Sequence, residues 1–208
     1  MRRFTGAEER AYERSNAITS IRVPPSPVLR SRALAISDAL ATTDRRRVQV
    51  ASQQLLDGFC ALLRVPPLQV EVCGARPRNR YGELHGLYTP ANGRQARDRV
   101  QVWMRTAQRL QVVAFKTFLR TLLHELCHHL DYEYLKLTRS FHTEGFYKRE
   151  SRLVYAVAPA SPGVVPARAV VPAVPPVVPT HAVMPAVPPV VPVRAGVRAV
   201  SPVVPVRG

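Results

Sequence analysis

Apolar positions recur every three to four residues in two long stretches and alternate with polar ones in three short stretches, and this rhythm orders the chain. In "RRRVQVASQQLLDGFCALLRV", Val48, Leu55, Leu56, Phe59, Leu62 and Leu63 recur at helical spacing. Thr43 or Asp44 stands before that segment as a cap, and Pro66 and Pro67 stop it. Just upstream, "SPVLRSRALAISDAL" reads as a second helix packed alongside. Three β candidates follow: "LQVEVC" (68–73), "GELHGLYT" (82–89), which leads into the turn "PANG", and "RVQVWMRT" (99–106), which alternates through Val100, Val102 and Met104. The longest helix is expected from about Val113 to Leu137, where Phe115, Phe118, Leu119, Leu122, Leu123, Leu126, Leu130 and Tyr134 form a broad apolar stripe uninterrupted by glycine or proline. A last amphipathic segment, "EGFYKRESRLVYAV", is expected to pack back on the core. The order of elements predicts an α+β domain over residues 29–155.

Both ends break the rhythm. Residues 1–28 mix charge with "VPPSP" and read as a flexible basic arm. Residues 156–208 are a Val/Pro/Ala tract holding thirteen of the twenty prolines, with "AVPPVV" occurring twice. Proline at that frequency removes backbone donors and helical geometry, so the tract is no transmembrane helix. It reads as a disordered, partly polyproline-II tail.

Charge changes the picture next. The chain carries a formal +16, and residues 1–155 alone hold 26 Lys and Arg against 14 Asp and Glu, a net +12. Such a charge favours polyanions, nucleic acid among them, through counterion release and steering. The competing explanation is the solvated basic face of an arginine-rich composition, and arginine does outnumber lysine 27 to 3. Cys60, Cys73 and Cys127 are too few and too scattered for a disulfide framework, and no C-x-x-C pair occurs. The N-terminus has early arginines but no apolar run behind them, unlike a secretory signal. Both features point to a cytoplasmic protein with no membrane partner.

The chemistry is concentrated in "HELCHHLDYEYLKLTRSFHTEG" (124–145), which holds four of the six histidines. His124 and His128 stand one helical turn apart on one face, so their imidazoles can converge on a single zinc ion. Glu125 flanks that ion and is placed to take a proton from a zinc-bound water. The pattern is H-E-x-x-H, the signature of zinc metallopeptidases, with Leu126 in the buried stripe and Cys127 a small packed residue. A catalytic zinc needs a third protein ligand and an open position. Four downstream residues are candidates: His129, His142, Glu144 and Glu150. His129 points roughly 100° away from His128 around the helix, and is expected to face solvent or pair with Glu125 or Glu133. His142, past the helix end, is the choice, Glu144 is its competitor, and Glu150 reads as a charge on the last helix. Asp131 lies near the ligand face and could accept a histidine N–H, or be a surface charge. Tyr132, Tyr147 and Arg149 are each open as a second oxyanion donor. The strand "RVQVWMRT" is the candidate for pairing an extended peptide along its edge, while His85 reads as a sheet residue.

The helix, the three strands, "TLLHELCHHLDY" and the later "FHTEGF" together resemble the SprT-like group of small zinc metallopeptidases over roughly residues 44–155. In that group a loop histidine follows the H-E-x-x-H helix in an H-x-x-x-F pattern, here His142 to Phe146. The resemblance implies a minimal zincin-like fold, zinc on His124, His128 and His142, and Glu125 as general base in peptide hydrolysis. The zinc ribbon carried by many members has no counterpart, because no cysteine follows Cys127. Some members act on proteins bound to DNA, with which the basic surface here is compatible. The alternative expectation is a basic nucleic-acid-associated binding protein that keeps the fold and hydrolyses little or nothing.

Overall fold

A computed structural model describes residues 4–79, 82–92 and 95–158; the expected proline-rich tail lies almost wholly outside them. The described chain is mixed α+β, with five helices and a three-stranded sheet: α1 Gly6–Ala17, α2 Pro27–Ala41, α3 Arg45–Leu63, β1 Gln69–Ala75, β2 Arg78–Asn79, β3 Gly82–Glu83, β4 Gly86–Thr89, β5 Arg99–Arg105, α4 Phe115–Glu133 and α5 Glu144–Val157. No described helix is long and apolar enough to cross a membrane.

The helix boundaries follow from their caps. Asp44 accepts the N–H groups of Arg46 and Arg47 at the start of α3, and the left-handed Arg64 ends it before Pro66. Ser26 caps α2 with Pro27 at its first position. Residues 6–17, expected within a loose arm, are instead helical: Thr5 and Glu8 form a reciprocal capping box. The segment 82–89 is divided, because Gly82 and Glu83 close a hairpin with Arg78 and Asn79 before the chain turns to join β5.

The sheet order is β1-β5-β4, with β1 parallel and β4 antiparallel to β5. β5 is therefore the central strand, which corrects its expected role as the peptide-binding edge. The two outer strands differ. Along β1, Gln53 and Gln49 of α3 accept the Val70 and Val72 N–H groups at 2.8 and 3.3 Å, closing that edge with side chains. Beyond β4 no further strand pairs among the described residues.

The core lies between sheet and helices. Val70, Val72, Val100, Val102 and Met104 face Phe118, Leu119, Leu122, Leu123, Leu126 and Leu130 of α4, all buried. The apolar stripe thus fixes which face of α4 meets the sheet, and hence which face carries the histidines. Where the stripe predicted helix to Leu137, α4 stops at Glu133. The Leu135 and Leu137 N–H groups turn back to the carbonyls of Leu130 and Asp131, and Lys136 takes a left-handed φ of 52°. This reversal sends residues 138–143 back along α4.

Candidate metal centre

α4 presents His124 and His128 one turn apart, and the returning loop brings His142 onto the same face. His142 Nε2 lies 3.0 Å from His124 Nε2 and 3.0 Å from His128 Nε2. Three nitrogens on one tetrahedral zinc, at about 2.0–2.1 Å each, stand roughly 3.3 Å apart. The cluster is close to that spacing, and His124, His128 and His142 are the group among the described residues that could hold a metal ion.

The far side of two rings is already committed. His124 Nδ1 donates to Glu150 Oε2 at 3.1 Å, and the Glu150 carboxylate, itself buried, is held by Arg120 Nε at 2.6 Å. His128 Nδ1 donates to Ser140 Oγ at 2.7 Å, whose hydroxyl donates in turn to Asp131 Oδ2 at 2.7 Å. With Nδ1 of each ring committed to an oxygen, Nε2 is the atom that both turn to the cluster. Burial, with His124, His142 and Arg149 nearby, pushes the His128 pKa well below its usual value, so the ring is neutral as a ligand must be.

Phe146 forms the floor, its ring centroid 4.9, 4.7 and 5.1 Å from those of His124, His128 and His142. Tyr147 stacks on His142 at 5.9 Å. Glu125, 6% exposed, turns toward β4 and accepts the Tyr88 N–H. Burial pushes its pKa up to about 7, with His124 and the Tyr88 N–H pulling the other way. β4 can approach this carboxylate only because residue 86 is glycine: a Cβ there would sit 2.8 Å from Glu125 Cγ. Histidines, Glu125 and β4 line one open cleft of about 840 Å³, together with Lys116, Tyr132 and Tyr147.

Of the third-ligand candidates, His142 joins the cluster. Glu144 is 73% exposed and pairs with Lys148 at 2.6 Å, outside it. Glu150, expected as an ordinary charge, is the buried acceptor behind His124. Phe146 and Glu150 stand four apart on α5 and so share a face, a spacing that could have marked Glu150. His129 is fully buried, neither facing solvent nor pairing with Glu125 or Glu133 as expected: Nδ1 meets Asp98 Oδ2 at 2.7 Å and Nε2 meets the Pro66 carbonyl at 2.9 Å. Asp131 reaches His128 only through Ser140, a residue no sequence pattern marked. Arg149 is fully buried on Asp131, at 2.9 Å, and on the Ser15 carbonyl, at 2.7 Å, so it is not available to an oxyanion. Tyr132 and Tyr147 remain at the cleft, and His85, on the bend between β3 and β4, lines its rim rather than lying in the sheet. Cys127 is buried, and its thiol pKa is raised by that burial.

No family model, no curated protein and no solved structure matches the chain.

Proposed function

We propose that the chain is a zinc-dependent peptidase of minimal zincin-like architecture, with His124, His128 and His142 holding the metal and Glu125 as general base. The observation that carries this reading is the convergence of three Nε2 atoms beside a buried carboxylate in an open cleft. The donor set fits zinc: three imidazoles, two of them oriented by acceptors behind, with room for a fourth ligand. When bound, zinc supplies an acidified water and polarises the scissile carbonyl.

The chain's own groups do the rest. Glu125 accepts the proton of the attacking water and passes it to the leaving amine. β4 offers an extended peptide the edge that no described strand covers, where Glu125 takes the Tyr88 N–H, so that the peptide main chain lies beside Glu125. Tyr132 and Tyr147 reach the cleft as hydroxyl donors to the developing oxyanion. Substrates bound by main-chain hydrogen bonds are proteins or peptides with little sequence preference.

One observation favours the second reading, a nucleic-acid-binding protein of low hydrolytic activity. Arg22, Arg30 and Arg152 line a surface groove beside Tyr155, which is 70% exposed, and cations beside an aromatic face suit single-stranded nucleic acid. Metal content, hydrolysis of an unfolded protein and binding of an oligonucleotide, measured on wild type and Glu125→Gln, separate the two. The peptidase reading expects one zinc per chain in both and hydrolysis in wild type alone. Zinc-loaded wild type that binds the oligonucleotide and cleaves nothing would establish the second reading.

A further inference from the structure

We infer that the N-terminal helix is part of the metal centre: α1 clamps the loop that carries His142 and so sets the affinity for the ion. This rests on the metal reading above. α1 buries only two side chains, Glu8 and Ser15, and neither is apolar. It therefore adds little to the hydrophobic core, and a helix of twelve residues is marginal by itself. Its order comes from specific contacts, and these run to residues 139–149. Glu8 Oε1 meets Arg139 Nη1 at 3.0 Å. The rings of Phe4 and Tyr12 lie 5.7 and 5.9 Å from that of Phe141, the residue before His142. Ser15 Oγ is 3.4 Å from Thr143 Oγ1, the residue after it. Asn16 Oδ1 accepts the Gly145 N–H at 3.1 Å, and only glycine fits there, since a Cβ would lie 2.6 Å from the Ser15 carbonyl oxygen.

Both neighbours of His142 are thus held by the same helix. A second route reaches His128. Arg149 donates to the Ser15 and Ile18 carbonyls and to both Asp131 oxygens, and Asp131 holds Ser140 on the His128 ring. Two of the three rings are therefore positioned through contacts that end on α1 or just beyond it. His142 is the exposed member of the cluster and sits on the only loop of the three, so it depends most on such support. By linkage, an ion that requires the loop in place must also order α1.

The test is zinc affinity of the full chain, by competition with a chromophoric chelator, together with amide exchange in α1. Phe4→Ala/Tyr12→Ala removes exposed rings and leaves the core intact. Loss of supporting contacts around a metal typically costs about 10–100-fold in affinity; the lower end, roughly ten-fold, is expected here, with a changed visible spectrum of the cobalt form. Tyr12→Phe, which keeps the ring, should hold the wild-type value, and so should Leu62→Ala, an exposed change on α3. Zinc should slow amide exchange in residues 6–17. Unchanged affinity in the double variant, or equal weakening by Leu62→Ala, would overturn the inference. Wild type that takes up no zinc would overturn the metal reading itself, a distinguishable result.

Discussion

Glu125→Gln should stabilise the metal-free protein at alkaline pH and leave its stability unchanged in acid. The native carboxyl has its pKa pushed up to about 7 by burial, against an ordinary value of 4.5. The unfolded chain therefore gives up this proton more readily than the folded one. Between those two values the folded state binds more protons, so stability falls as pH rises through the window. A difference of about 2.5 units at ~1.36 kcal/mol each is roughly 3 kcal/mol, lost by pH 8 and fully recovered below pH 4.5. With Glu125 only 6% exposed, solvent screens little of it. Glutamine keeps an oxygen for the Tyr88 N–H and has no charge to bury. Urea unfolding of chelator-treated wild type and variant at pH 4 and pH 8 measures the effect. The variant should be about 3 kcal/mol more stable at pH 8 and equal at pH 4. A pH-independent difference between the two, or a variant less stable at pH 8, would refute the reasoning. Added zinc should narrow the gap, because a nearby cation favours the carboxylate.

Other outcomes follow from individual contacts. Glu150→Gln removes the charged acceptor behind His124 and should weaken zinc binding by about 10–100-fold in chelator competition, whereas Glu144→Gln should leave it unchanged. Gly86→Ala drives a methyl group into the Glu125 side chain, so hydrolysis should fall while the zinc content of the purified protein stays at the wild-type level. Arg149→Met leaves the Asp131 carboxylate buried without its partner and frees the Ser15 and Ile18 carbonyls; a loss of about 3–5 kcal/mol in urea unfolding is expected. Replacing Gln53 by alanine uncovers the β1 edge, where the Val70 N–H should then exchange faster without loss of zinc.

Periodicity marked the elements that use a regular pattern to bury apolar surface. α3, β1, β5 and α4 each carry one, and the expected cap at Thr43 or Asp44 placed the start of α3 to within a residue. α1 escaped this reading because it buries no apolar side chain, so nothing in its pattern announces that it packs. The site divided in the same way. His124, Glu125 and His128 are local, one turn of one helix, and their spacing alone sets them on a common face. His142 came from a pattern in the loop, and its distance from the other two could not.

What the amino-acid order determined by itself is therefore short-range: which residues share a helix face, where α3 starts, and that His124, Glu125 and His128 fall within one turn of one helix. Only the tertiary structure decided that β4 and not β5 is the open edge, that Glu150 and Ser140 stand behind the histidines, and that Arg149 is tied to α1 rather than to substrate. Those contacts join residues 26, 12 and 134 positions apart. No local spacing encodes them, because they depend on how the reversal after Glu133 folds the loop and α5 back over α4.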